Sequence, residues 1–210
     1  MRAALRSYQE IHENYFPDIE DAVLSFLADY GKTYGVTDDA PVSRQALEEM
    51  VTQLFGYELD YETIDQFEEL ATFRSVFVPG KPPRLLINSA LYPRQVKFLL
   101  ARELGYKYLN LRERSQTSTP DEVHSFQQLL NDFRAAYFGG ALLMPRKAIL
   151  ADLKAFFALT AWNPQPLDDM LTKYDVTPEM LFYRFSELIP NILIFKFTFY
   201  AFIRKRQSFG

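Results

Sequence analysis

The chain has 210 residues with a formal net charge of −4, long enough for one ordinary domain with a sizeable core. It is too acidic to hold nucleic acid across a broad basic face. Apolar residues make up 48 % and aromatics 16 %, which excludes a disordered chain, and the lack of cysteine excludes disulfides and thiolate metal sites.

Asp18 to Tyr34 reads as an amphipathic helix, with Ile19, Val23, Phe26, Leu27 and Tyr30 at helical spacing. Pro17 suits its first turn and Gly35 its end. Ser43 reads as the N-cap of a helix from Arg44 to Phe55, stopped by Gly56. Two strands are expected at Phe73 to Val78 and Arg84 to Asn88, joined as a hairpin or sheet edge by Pro79-Gly80-Lys81-Pro82-Pro83. Pro93 opens a central helix to about Asn110, apolar almost all round and therefore buried on most sides. Its Arg102 and Glu103 then lie in or near the interior, where an unpaired charge is costly. Asp121 to Leu143 forms a second long helix, started by Thr119 or Pro120, with Val123, Phe126, Leu130, Phe133, Tyr137 and Ala141 on one stripe. Gly139-Gly140 costs that helix roughly 1 kcal/mol per residue relative to alanine, which close approach of another backbone would explain. Shorter helices follow near 147–159, 166–174 and 178–188, the last capped by Thr177. Phe195, Phe197, Phe199 and Ala201 alternate with polar residues as a half-buried strand.

The pattern H-E-x-x-H binds zinc because two imidazoles one helical turn apart grip the ion while the glutamate activates its water. Arg102-Glu103-Leu104-Gly105-Tyr106 keeps the glutamate and replaces both histidines, and arginine has no lone pair to offer a metal. The surroundings are more specific. Arg94-Gln95-Val96-Lys97-Phe98-Leu99-Leu100-Ala101 runs into this motif, and Asp132-Phe133-Arg134-Ala135-Ala136-Tyr137-Phe138-Gly139-Gly140-Ala141-Leu142-Leu143-Met144-Pro145 follows it. Together they resemble the ImmA/IrrE metallopeptidase-like family, whose patterns run R-Q-x-F-x-x-A-H-E-L-G-H and E-x-x-A-x-x-F-A-x-x-L-L-M-P. The likeness covers roughly residues 40 to 200. Leu167 to Phe185 is similar to the helical segment after the core in long bacterial regulators with an XRE-type helix-turn-helix.

The resemblance implies an α+β fold, a mainly helical zincin-like domain with a small β-sheet. Residues 1–40 would be a helical connector and 41–210 the pseudo-peptidase domain with a helical extension, one structural unit overall. Asp132 stands where the family carries a ligating glutamate, so the resemblance implies a site of Arg102, Glu103, Tyr106, Asp132 and Tyr137. Glu103 is then a vestigial general base, and no metal or cofactor is expected. A guanidinium from Arg102, paired with Asp132 and helped by the Tyr106 hydroxyl, would stand in for the ion. The implied function is a sensing domain of a bacterial transcription regulator. DNA would be reached only through an upstream helix-turn-helix outside this chain, and a small acyl-type metabolite or a protein would act at the former active-site cleft. A homodimer is expected, because such regulators read paired half-sites and an apolar edge strand at Phe195 to Phe202 tends to pair. The competing class is a zinc endopeptidase with unusual ligands drawn from Glu103, Asp132 and His124.

No secretory leader is visible after Met1, and the lack of cysteine fits a reducing cytoplasm. The longest apolar stretch, Ile192 to Ile203, is interrupted by Lys196 and Thr198 and is too short to span a bilayer, so no membrane partner is expected. The basic cluster Arg204-Lys205-Arg206 reads as a solvated terminus.

Overall fold

The computed structural model describes residues 1–117 and 124–189. The chain begins with α1 (Arg2–Ile11) and α2 (Pro17–Phe26), and α2 continues through a π-turn into α3 (Lys32–Tyr34). Next come α4 (Arg44–Glu49), itself extended by a π-turn, and the strands β1 (Glu58–Asp60), β2 (Ser75–Val78) and β3 (Arg84–Ile87). The central helices are α5 (Pro93–Tyr108) and α6 (Phe126–Leu143), followed by α7 (Arg146–Phe157), α8 (Gln165–Tyr174) and α9, at 178–189. Among the described residues this is a mostly helical α+β domain with one small mixed sheet, and no helix is long and apolar enough to cross a membrane.

The expected helix signals do their work. Pro17 opens α2, and the Ser43 hydroxyl accepts from the Ala46 amide at 3.1 Å to cap α4. Thr177 caps α9 by accepting from the Met180 amide. β2 and β3 form the predicted antiparallel pair, with Phe77 opposite Leu85. The sequence reading missed β1, which lies parallel to β3 with Leu59 opposite Leu85, so the sheet order is β1-β3-β2. Its three residues, two of them acidic, are too few to show a period. α1 falls within the expected helical connector of residues 1–40 and has no fully buried side chain. The alternating segment Phe195 to Phe202 lies outside the described residues.

The frame is the contact between α5 and α6. A Cβ on Gly105 would come within 2.9 Å of the Ala135 carbonyl oxygen, and one on Gly139 within 3.0 Å of the Arg102 backbone nitrogen. Glycine at both points lets the two backbones touch. Gly140 differs: a Cβ there meets nothing within 4 Å, so close approach explains only half of the glycine pair. Gly139→Ala is therefore expected to destabilise by roughly 1–3 kcal/mol despite its better helix propensity. Gly140→Ala should be neutral or gain up to about 1 kcal/mol. Thermal melts giving the two variants equal stability would contradict this contact.

The buried face of α6 follows the expected stripe only in part, at Tyr137 and Ala141. Phe126 is exposed, Leu130 and Phe133 are half-buried, and the inward line includes Gln128, Asn131, Ala135, Phe138 and Leu142. Polar residues take core positions because each has a partner. The Asn131 side chain donates to the Glu113 carbonyl at 2.8 Å, and Gln128 to the Ser115 hydroxyl at 3.1 Å. The helix starts at Ser125, whose hydroxyl accepts from the Gln128 amide. The earlier starts expected at Thr119 or Pro120 fall outside the described residues.

On the opposite flank Lys97, 2 % exposed, closes the end of α8 by donating to the carbonyls of Tyr174 and Asp175 and to the Asp175 carboxylate. Arg94 reaches the same carboxylate at 3.0 Å, and the Gln95 side chain accepts from the Tyr92 amide at the start of α5. Two residues that carry the family likeness, Arg94 and Gln95, thus have structural tasks here.

Candidate functional site

Glu103 sits on α5 with 1 % of its surface exposed, and a buried carboxylate demands a counter-charge. Arg114 supplies it. Nη1 donates to Oε2 at 2.6 Å and Nη2 to Oε1 at 2.7 Å, a two-pronged pair that occupies both carboxylate oxygens. The Tyr57 hydroxyl donates to Oε2 as well, at 3.1 Å. The guanidinium carbon lies 3.8 Å from the centre of the Tyr106 ring and 4.0 Å from that of Phe77, so the cation is held between two aromatic rings.

The segment after α5 delivers this arginine. The Phe77 amide donates to the Gln116 carbonyl at 2.6 Å, and Val76 bridges Thr117 in antiparallel fashion, so residues 116–117 cover part of the free edge of β2. On its other side the segment is pinned to α6. Asp132 accepts from the Ser115 amide at 3.0 Å and from the Ser115 hydroxyl, and Gln128 and Asn131 hold the same stretch. Fixed on both flanks, the chain turns Arg114 onto Glu103.

Burial alone would lower the basicity of Arg114, but the Glu103 charge and its hydrogen bonds outweigh that and raise it, so the cation is permanent. Burial, then the Glu103 charge, push the Tyr57 phenol well above its usual value. Burial likewise raises Tyr106, with Asp132 adding to the shift and Arg102 opposing it. Both phenols stay protonated as donors.

Three of the expected site residues therefore meet around one point: Glu103, Tyr106 and Asp132. The Tyr106 hydroxyl donates to Asp132 at 2.6 Å, as anticipated for that network. The expected Arg102–Asp132 pair does not form. Asp132 is taken by Tyr106 and Ser115, and among the described residues Arg102 has no ion pair and leaves its buried Nε without a partner. Its guanidinium lies 5.8 Å from the Tyr106 ring centre, well outside the distance at which Arg114 packs. Adjacent helix positions diverge, so Arg102 cannot serve its neighbour Glu103 either. The cation paired with Glu103 is Arg114, from an aperiodic stretch after α5 that sequence reasoning did not single out. The available signal was Glu103 itself, a buried acid lacking a counter-charge on its own helix.

The fold implies a zinc site, and these side chains do not suit one. The positions of the family's ligands hold Arg102, Tyr106 and Asp132. Arginine offers no lone pair, Tyr106 is a protonated donor, and Asp132 and Glu103 have their oxygens committed to protein donors. No group of three His, Cys, Asp or Glu residues placed to hold a metal occurs among the described residues. His124 is exposed, and its backbone amide donates to Gln128.

Tyr137 belongs to a second network. Its hydroxyl donates to Glu20 at 2.9 Å and accepts from the Phe16 amide. Arg184, fully buried, donates from Nη1 and Nη2 to Glu20 at 2.6 and 3.0 Å, from Nη1 to Glu187 at 2.9 Å, and from Nε to the Met144 carbonyl. Two carboxylates share one guanidinium, so one of them is under-compensated. Burial, opposed by Arg184, raises Glu187 from 4.5 to about 7. Between those values the folded chain keeps a proton that the unfolded chain has lost, so this group makes stability fall as pH rises from about 4.5 to about 7. Glu187→Gln is expected to remove a decline on the order of 1–3 kcal/mol across that window. Denaturant unfolding at several pH values checks it, and an unchanged slope in the variant would contradict the assignment.

Arg184, Glu187 and Tyr137 also line a cavity of about 360 Å³ shared by α5, α6 and α9, to which neither Glu103 nor Arg114 contributes.

Comparison with known proteins places this geometry. Curated proteins yield no match. A solved structure described as a Mycobacterium tuberculosis transcriptional regulator is similar, with a TM-score of 0.62 and 19 % identity over 88 % of this chain and 51 % of that one. At that identity the likeness concerns the fold, and this chain spans about half the length of that regulator. The profile of the IrrE N-terminal-like domain matches residues 59–186, from β1 through the Glu103 helix and α6 into α9. The chain belongs to the IrrE N-terminal-like domain family.

Proposed function

We propose that this chain is the sensing domain of a bacterial XRE-type transcription regulator, built on a peptidase-like frame that no longer performs hydrolysis. The observation that carries the reading is the Arg114 clamp. A general base must offer a free oxygen to water, whereas both oxygens of Glu103 are bound to a buried guanidinium. The fold-level likeness to a regulator supports the same direction. Binding to DNA would reside in a helix-turn-helix encoded ahead of this segment, and the domain would act as a cytoplasmic homodimer that responds to a small-molecule or protein effector.

The test compares the full-length gene product with the 210-residue chain. The full-length protein is expected to bind its own upstream DNA specifically, the chain alone not to, and neither to cleave protein substrates. Cleavage that is lost with chelator and with Glu103→Gln would overturn the reading in favour of a metallopeptidase.

A further inference from the structure

The cavity between α5, α6 and α9 has features that packing does not explain. Its volume, about 360 Å³, falls in the range of small-molecule sites. Phe98, Phe133, Ala136, Gly140 and Met180 give it an apolar wall. Gly140 is less favourable in α6 than alanine would be, yet no neighbouring atom would obstruct a Cβ there. The missing side chain leaves space in the cavity and serves no contact within the protein. A second hollow of about 370 Å³ adjoins it, sharing Arg74, Phe98, Glu179 and Met180, so an elongated molecule has room to extend.

Charge indicates what the space would hold. Glu179 and Glu187 line the cavity with Glu20 directly behind, against the guanidiniums of Arg74 and Arg184. Arg184 is already bound to Glu20, Glu187 and the Met144 carbonyl, while Glu187 meets it through Oε2 alone. A carboxylate ligand at this end would face two acids and a committed arginine, and Arg74, the other cation of the lining, is itself engaged within the protein. An ammonium would find an under-compensated carboxylate in a largely desolvated setting, where a charge-assisted hydrogen bond is strong.

We propose that this cavity binds a small amphiphilic amine, its apolar body along Phe98, Phe133 and Met180 over Gly140 and its ammonium group at Glu187. The inference deepens the sensing-domain reading and rests on it only for biological meaning, because binding is measured on the chain itself.

The experiment is calorimetric titration of the 210-residue chain at about pH 8, where Glu187 is ionised, with octylamine and separately with octanoate. Octylamine is expected to saturate one site per chain, about tenfold or more tighter than octanoate. Gly140→Leu, which fills the cavity, should lose that binding while melting as a folded protein. Met180→Trp blocks the site from α9 and replaces Gly140→Leu if the latter fails to fold. Glu187→Gln should bring the two probes to similar affinity. Octanoate binding as tightly as octylamine, no saturable octylamine site, or binding unaffected by either blocking variant would overturn the proposal. None of these results bears on DNA binding by the full-length protein, so failure here leaves the regulator reading to its own test.

Discussion

Arg114→Ala is expected to destabilise the fold by roughly 3–5 kcal/mol, the range for breaking a buried ion pair from one side. Glu103, 1 % exposed in the parent protein, would keep only the Tyr57 hydroxyl as a side-chain donor. The same change removes the cation packed between the Tyr106 and Phe77 rings. Replacing both partners with apolar side chains, Glu103→Leu with Arg114→Met, should recover much of the loss, because no unpaired charge then remains. Arg102→Ala is the contrast. It makes no ion pair among the described residues and should cost less than about 1 kcal/mol. Urea unfolding of these variants distinguishes the two arginines. A larger loss at Arg102 than at Arg114 would show that the cations had been assigned the wrong way round.

The second large effect is expected at Arg184, whose side chain is 0 % exposed. It ties α2 to α9 through Glu20 and also holds Glu187 and the Met144 carbonyl. Arg184→Ala strands Glu20 beside Phe16 and Tyr137 and opens a void, and a loss of about 3–5 kcal/mol follows. Because this contact joins the early and late parts of the chain, its removal should loosen α9 as a unit. Limited proteolysis should then cut near 178–189 faster than in the parent protein. A melting temperature within about 2 °C of the parent would contradict the network, since that corresponds to less than about 1 kcal/mol for a domain of this size.

Much of the helical frame was legible because its signals are local. Pro17, Ser43, Pro93 and Thr177 mark starts by their own chemistry, and the Pro-Gly-rich loop between β2 and β3 marks a hairpin. The glycine pair in α6 pointed to a close backbone approach, which Gly139 makes and Gly140 does not. β1 was not legible, since three residues paired to a distant strand carry no period. The inward face of α6 was legible at Tyr137 and Ala141 but not at Gln128 and Asn131, which look solvent-facing until their partners at Ser115 and Glu113 are known.

The candidate site divides along the same line. Glu103, Tyr106 and Asp132 lie on helices that the family resemblance implies should bring them together, and they converge. Arg114 comes from an aperiodic stretch positioned by β2 on one side and α6 on the other. No spacing rule carries that information. Tyr137 shares a helix with Asp132, yet it turns toward Glu20 and Arg184 and joins the second network.

The central claim is that Glu103 is partnered by the guanidinium of Arg114 and not by a metal ion. Its most direct test is the melting temperature of the chain in chelator and in excess zinc. A site filled to about 100 times its dissociation constant stabilises by roughly 2.7 kcal/mol, a rise of about 5–10 °C for a domain of this size. With both Glu103 oxygens held by Arg114, the melting temperature is predicted to be the same in both conditions. A zinc-dependent rise of that size, abolished by Glu103→Gln, would contradict the account.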